Sequence, residues 1–342
     1  MNFFKLVAGL RLRLLPFLCF FVSTASCSKQ DYLFVESIDV VTDTTIVYVY
    51  PDSDSSRNPH DLGGTVTVTP YAELAYKHQS AAVYGDYALF VKEGRGGIRL
   101  YDMVKKNKVY SFSLKGEDRS VYHSNQSTFG IEKYESSDCF PLFYISQRTR
   151  SEKRCFTEVF RIIPLFNSDS LLLAFRAEKV QEIFFPQMSK ENSMGNVNCV
   201  IDPQTGKMYT YSRNNDLADD NYRLCKISRF AIPDVHQPEV YLEDSDIETS
   251  FMIDAEAVNM QGGCIVDGRL YIAQGYPLAK YVYLNVVDLS QEKLIKRYDL
   301  LDNGVDWEPQ GCFYYDGSIM LSHEDGICRI EEELNGTTQI GY

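Results

Sequence analysis

The chain has 342 residues, with 34 Lys and Arg against 47 Asp and Glu, which gives a formal net charge of −13 at pH 7. An acidic surface of this kind repels phosphate backbones, so we expect no nucleic-acid partner. The 24 Tyr and 20 Phe residues favour β-strands, and no long stretch keeps the apolar period of an amphipathic helix.

Residues 1–26 are predicted to be an export signal. Lys5, Arg11 and Arg13 form a basic region before the apolar stretch at 14–22, which is too short to span a bilayer as a helix. We find no second apolar stretch long enough to hold the chain in a membrane. Removal of the signal deletes only cations and makes the protein more acidic.

Cys27 follows a run of small residues, an arrangement typical of a bacterial lipoprotein signal in which the Cys27 thiol carries the lipid. Thr24 stands where such signals usually have Leu, and the alternative is ordinary secretion with cleavage after Ala25. Ser28 gives no signal for retention at an inner membrane. We therefore expect an outer-membrane lipoprotein of the cell envelope, facing the periplasm or the cell surface and held by its lipid alone.

Residues 27–64 are interpreted as a lipid-anchored tether that ends in a linker rich in Pro, Ser, Asp and Gly at 51–64. Residues 65–342 contain no comparable break. They are long enough for one sizeable core, and we predict a single domain there, working as a monomer.

Five stretches of this domain share one pattern: a polar opening residue, small residues, a short apolar run, an Asp or Gly turn and a second apolar run. They open at Gln79, Gln126, Asn198, Gln261 and Gln310. Each has the sequence form of a β-hairpin, and recurrence every ~45–70 residues is typical of a propeller. The strand that opens each hairpin is predicted to lie innermost.

A second hairpin follows the first in each repeat, and two hairpins make one four-stranded blade. In the third repeat we expect the outer hairpin to end at 240–242. The last repeat is short at its outer edge, so Thr65–Thr69 is predicted to supply its fourth strand and to close the propeller, which removes a free sheet edge. We predict an all-β propeller of five blades; six is the alternative if 115–195 or 32–50 contains extra strands.

Cys199, Cys264 and Cys312 occupy near-equivalent positions in three repeats, where the first repeat has Ala82. We interpret them as small apolar side chains that fit where the blades converge. One bridge between inner strands is the alternative. The chain has no Cys-x-x-Cys pair, so neither a zinc site nor a redox centre is indicated, and we expect no cofactor.

The leader, the hairpin repeat and strand ends such as Tyr101-Asp102 together resemble the TolB-like family of propeller lipoproteins of Gram-negative bacteria. The resemblance covers most of residues 65–335 and concerns architecture. It implies a propeller in the cell envelope, although family members often have six blades.

In a propeller, the loops before each inner strand and those joining the second and third strands share one face, which commonly binds ligands. Trp307 and Glu308 precede the opening Gln310 there, and an exposed Trp beside a carboxylate and an amide is a candidate sugar platform, to which Gln261 would contribute. The alternative is that Trp307 packs between the fourth and fifth blades.

Four more polar residues are candidates for the same face. His78, His123 and His323 are predicted to line it as ligand contacts or as separate polar residues; a metal site formed by the three is the less favoured reading. Arg148 lies in a basic loop that would suit an anionic ligand or form a solvated hairpin tip.

The sequence thus predicts an exported, lipid-anchored propeller that binds a ligand or a partner, a glycan or an envelope protein, without catalysing a reaction. The alternative is a polysaccharide-active hydrolase or lyase that uses Glu308, Glu256 and Asp254 as its acid and base. Fold alone does not decide between them, because propellers host both.

The anchor can be tested by substituting Cys27 with Ala. We expect C27A to leave the membrane fraction and labelled palmitate to mark only the wild type, because the thiol is the attachment point. Equal soluble recovery of both forms would contradict the lipoprotein assignment.

Overall fold

The computed structural model of the protein describes residues 66–92, 96–115, 124–147, 156–168, 171–186, 197–213, 224–257, 259–276 and 281–332. The predicted export signal, Cys27 and the predicted tether lie outside these ranges.

Apart from one short 3-10 helix at Asp244–Asp246, the regular elements within the described ranges are strands. No helix of this part of the chain is long and apolar enough to cross a membrane. The strands are β1 (Val66–Glu73), β2 (Ser80–Tyr84), β3 (Tyr87–Val91), β4 (Gly97–Asp102), β5 (Asn107–Lys115), β6 (Gln126–Phe129), β7 (Phe143–Gln147), β8 (Phe156–Phe166), β9 (Leu172–Phe184), β10 (Asn198–Asp202), β11 (Lys207–Arg213), β12 (Leu224–Ala231), β13 (Glu239–Tyr241), β14 (Thr249–Glu256), β15 (Met260–Val266), β16 (Arg269–Tyr276), β17 (Tyr281–Asp288), β18 (Lys293–Asp299), β19 (Gly311–Tyr315), β20 (Ser318–His323) and β21 (Gly326–Glu332).

The strands form three four-stranded sheets and one nine-stranded sheet, in which β5 pairs in parallel with β9 and β13 is added beside β9. For reference, we divide the strands by chain order into units that we call blades 1 to 5. Blade 1 is β2 to β5, blade 2 is β6 to β9, blade 3 is β10, β11, β12 and β14, blade 4 is β15 to β18, and blade 5 is β19, β20, β21 and β1. Their first strands contact one another in the cyclic order β2, β6, β10, β15, β19 and back to β2. This is a propeller-like, all-β fold, as the repeat predicted.

The chain divides into two compact units by its internal contacts, one of residues 1–44 with 164–174 and one of 45–163 with 175–342. The described part of the first unit is the tip of the β8–β9 hairpin, where the side chain of Asn167 accepts a hydrogen bond from the backbone N of Leu171 at 2.8 Å. All five first strands belong to the second unit.

Closure of the propeller by an N-terminal strand is confirmed. β1 pairs antiparallel with β21 from Val66 opposite Glu332 to Glu73 opposite Gly326, with a bulge after Pro70. The strand is thus longer than the predicted segment at 65–69. Val66 is buried in the core cluster shared by blades 4 and 5, so both hydrogen bonds and apolar packing join β1 to blade 5.

The outer strand of blade 3 was predicted wrongly. Residues 239–241 form β13, which pairs in parallel with β9 of blade 2, from Glu239 opposite Glu182 to Tyr241 opposite Phe184. The fourth strand of blade 3 is β14, which pairs antiparallel with β12. The ring of Tyr241 stacks on Phe184 with centroids 4.6 Å apart, which favours the cross-blade pairing over the local hairpin.

Small residues are required where the first strands of neighbouring blades meet. A Cβ added at Gly262 would lie 2.6 Å from the backbone N of Cys312, and one at Gly311 would lie 2.8 Å from Cβ of Ala81. Both separations are shorter than real Cβ contacts allow, so glycine is the residue that fits these two contacts. Further out, core clusters fill the spaces between blades 2 and 3, 3 and 4, 4 and 5, and 5 and 1.

Closure predicts a selective loss of stability when β1 is shortened. Deleting residues 65–69 should lower the free energy of unfolding by several kcal/mol, because it removes ladder hydrogen bonds and the buried side chain of Val66. Thr67→Ala, an exposed change on the same strand, should stay within about 0.5 kcal/mol of wild type. Urea unfolding of the two variants provides the measurement, and equal midpoints would contradict closure through β1.

Candidate functional site

A hydrogen-bond network crosses the axis of the propeller. Gln126, at the opening of blade 2, accepts a hydrogen bond from the backbone N of Gly263 at 2.7 Å and donates to the carbonyl of Gly263 at 2.8 Å. The hydroxyl of Tyr211 in blade 3 donates to the backbone carbonyl of Gln261 at 2.6 Å. Three blades are therefore joined by buried polar contacts, which are strong where water is excluded.

The network continues to the rim through Gln261, which is 8% exposed. Its side-chain amide donates to Oε1 of Glu308 at 2.6 Å, so the carboxylate of blade 5 is held against the opening of blade 4. Glu308 is itself half-buried. The predicted residues Gln261 and Glu308 are thus brought together in a fixed geometry.

Trp307 forms the aromatic part of the same rim. It packs in part against the core cluster between blades 4 and 5, and its ring stacks on His323 with centroids 4.1 Å apart and planes at 14°. Trp307 and His323 are both partly exposed. Trp307 therefore packs between blades 4 and 5, which was the alternative interpretation, and it also lies at the rim.

The surroundings of His323 are acidic. Burial lowers the pKa of His323, and the nearby carboxylates of Asp325, Glu324 and Asp306 act in the opposite direction. Asp306, Glu324 and Asp325 are exposed. This part of the rim carries a negative field, which disfavours an anionic ligand.

His78 occupies a different environment from the predicted rim. It is 2% exposed, with Nδ1 2.8 Å from the carbonyl of Tyr76 and Nε2 2.8 Å from Oγ of Ser322. Because a carbonyl only accepts, Nδ1 carries the proton and Nε2 accepts from the Ser322 hydroxyl. Both ring nitrogens are engaged, so His78 ties the β1–β2 connection to β20 from a buried position.

The other two predicted carboxylates lie on the exposed side of β14. Asp254 accepts a hydrogen bond from Arg297 at its backbone carbonyl, at 2.8 Å. The backbone carbonyl of Glu256 accepts from the side chain of Gln274 at 2.6 Å. Both side chains are exposed, in contrast to the half-buried Glu308. His123 and Arg148 lie outside the described residues.

Three amides at strand openings have unused hydrogen-bonding capacity within the described part of the chain. Asn198 is 1% exposed, and both of its side-chain polar atoms are buried without a partner there. The same holds for Oδ1 of Asn125 and for Oε1 of Gln310, which is 9% exposed. Buried polar groups are normally satisfied, so these amides provide donors and acceptors close to the axis.

The sequence analysis missed a buried carboxylate, Glu158 on β8. It is 2% exposed, accepts a hydrogen bond from the side chain of Gln147 at 2.9 Å and lies 3.4 Å from Nζ of Lys179. Burial raises the pKa of Glu158 to about 7, against the effect of Lys179. The signal in the sequence was one acid within the apolar run at 156–166.

No protein-family model matches the chain, and neither does any curated protein, so the TolB-like resemblance stays a prediction. The chain is similar to several solved structures. Glutaminyl cyclase from Myxococcus xanthus has 8% identity and a TM-score of 0.44, over 79% of this chain and 98% of its own. The major allergen Mala s 1 of Malassezia sympodialis has 9% identity and a TM-score of 0.41, and the match covers 82% of this chain and 98% of the allergen chain.

Apo AztD from Citrobacter koseri has 16% identity and a TM-score of 0.30, over 65% of this chain and 47% of its own. All of these TM-scores are below 0.5, and likenesses of this degree carry no argument about the site. The fold and the site therefore rest on the strand topology and on the contacts described above.

The environment of His78 predicts a pH dependence of stability. Burial lowers the pKa of His78 from its ordinary value of 6.5 to about 4. The unfolded chain therefore binds a proton between these values that the folded chain does not. The free energy of unfolding should therefore fall by roughly 3 kcal/mol as the pH is lowered from above 6.5 to about 4.

His78→Gln should flatten this part of the profile, whereas the exposed His236→Gln should keep the wild-type slope. Urea unfolding at intervals from pH 7 to pH 4 compares the three proteins. Parallel profiles for wild type and H78Q would show that His78 is not buried in its neutral form.

Proposed function

We propose that the protein is an exported, lipid-anchored propeller that binds a neutral, polyhydroxylated ligand such as a glycan at the rim between blades 4 and 5. The single observation that carries the proposal is the stacked Trp307–His323 pair beside Glu308, whose carboxylate is held by Gln261. Aromatic rings flanked by a few fixed polar groups are typical of small-molecule sites.

The chemistry of this rim suits sugar hydroxyls. The carboxylate of Glu308 accepts hydrogen bonds, and its contact with Gln261 fixes its direction without cancelling its charge. Gln310 lies at the same strand opening, and its Oε1 is buried without a hydrogen-bond partner among the described residues. The acidic neighbours of His323 disfavour phosphates and uronic acids, which directs the proposal to neutral glycans.

Binding is favoured over catalysis because the three candidate carboxylates differ in their placement. Glu308 is half-buried and held by an amide, whereas Asp254 and Glu256 are exposed on β14. A glycosidase needs one acid whose pKa is raised beside a second, ionised carboxylate. The hydrolase or lyase alternative is therefore kept as an outcome of the test.

The anchor at Cys27 and the tether at 27–64 would hold this rim in the cell envelope, within reach of a polysaccharide or an envelope protein. The predicted leader and the position of Cys27 after it support this location.

The proposal predicts a separation of binding from folding at the aromatic pair. His323→Ala removes the ring that stacks on Trp307 at the end of β20. The change should weaken glycan binding at least tenfold, with a small change in melting temperature. Val104→Ser, a change at an exposed position in the β4–β5 turn of blade 1, is the control, and this variant should bind the glycan as wild type does. A glycan array followed by calorimetry on the best ligand measures both quantities.

Trp307→Ala and Glu308→Gln complete the test. If W307A melts early and its folded fraction binds normally, Trp307 is a packing residue and the proposed site is wrong. An activity screen on the same glycans decides the alternative: turnover by wild type that is abolished in E308Q, with binding intact, would make the protein an enzyme.

A further inference from the structure

Two cysteines from adjacent blades lie side by side near the axis. Sγ of Cys264, on β15, is 3.9 Å from Sγ of Cys312, on β19. Both are thiols, as are the other cysteines of the described part of the chain, Cys139, Cys199, Cys225 and Cys328. The pair is separated by 48 residues in sequence, so the contact is made by the fold alone.

We propose that Cys264 and Cys312 are a modification site at which oxidation forms a disulfide between the first strands of blades 4 and 5. The inference goes beyond the proposed ligand binding and does not depend on it.

The backbones of the two first strands approach each other closely next to the pair. Gly262, two residues before Cys264, approaches so closely that an added Cβ would lie 2.6 Å from the backbone N of Cys312. A disulfide needs sulfurs at about 2.05 Å, so the two side chains must together close a gap of roughly 2 Å. The proposal requires rotation about the two Cα–Cβ bonds to supply this movement.

The two thiols differ in accessibility, which assigns their roles. Cys264 is partly exposed, whereas Cys312 is 1% exposed. An oxidant in solution therefore meets Cys264 first, and Cys312 is the resolving thiol. Burial also raises the pKa of Cys312, so this thiol stays protonated until it reacts.

The reaction balances with an organic disulfide such as oxidised glutathione. The Cys264 thiolate attacks one sulfur of the reagent, forms a mixed disulfide and releases one glutathione thiolate. Cys312 loses its proton and attacks the Cys264 sulfur, which forms the protein disulfide and releases the second glutathione. Two protein thiols are oxidised, and one reagent disulfide is reduced to two thiols.

The bridge would have a structural effect, because it links the strands whose openings carry Gln261 and Gln310. A cross-link over a long sequence separation restricts the unfolded chain and stabilises the fold. We therefore expect the melting temperature to rise by several degrees on oxidation and to return on reduction.

The experiment equilibrates the full-length wild-type protein with oxidised glutathione, blocks free thiols with iodoacetamide in denaturant and maps peptides without reduction. The expected result is a linked peptide containing Cys264 and Cys312, with Cys199 and Cys225 alkylated. Full alkylation of both partners, or a stable mixed disulfide at Cys264 alone, would overturn the proposal.

Two variants test whether the rise in melting temperature comes from the Cys264–Cys312 disulfide. Cys264→Ala, which places the residue of the first repeat at this position, should abolish both the linked peptide and the rise in melting temperature. Cys199→Ala, at the equivalent point of blade 3, should retain both. A rise in melting temperature that persists in C264A would assign the effect to other thiols.

Discussion

The space available at the axis is the physical constraint that organises this protein. Five first strands meet there, and the contacts at Gly262 and Gly311 leave no room for a Cβ. Side chains that do reach the axis must therefore be few, and they are either small, as at Cys264 and Cys312, or bonded to backbone. Gln126 meets this requirement, because its amide pairs with both the N–H and the carbonyl of Gly263 across the axis.

The same constraint connects the core of the propeller with its rim. Tyr211 and Gln126 fix the backbone at 261–263, and this backbone places the Gln261 amide against Glu308. The orientation of a rim carboxylate is thus determined by buried contacts from blades 2 and 3. Sites whose groups are held by rigid neighbouring elements are well suited to selective binding, since little order has to be gained when the ligand arrives.

The fold was largely predictable because its determinants are local. Opening residues such as Gln126 and Asn198 mark where strands begin, and the missing outer strand of the last repeat indicated closure by β1. The cross-blade pairing of β13 was not predictable, because it depends on the stacking of Tyr241 on Phe184, which lies far away in sequence. For the same reason the sequence placed His78 at the rim, whereas Ser322, 244 residues later, engages it in the interior.

Trp307 shows how packing and recognition can share one side chain. Its contact with the core between blades 4 and 5 fixes the indole, and the stacked His323, which is also partly exposed, enlarges that aromatic surface. A ring that is already immobilised loses little conformational entropy when a ligand binds. The burial that makes Trp307 a packing residue therefore also prepares the pair for binding, and substitution of His323 tests binding without removing the Trp307 side chain from the core cluster.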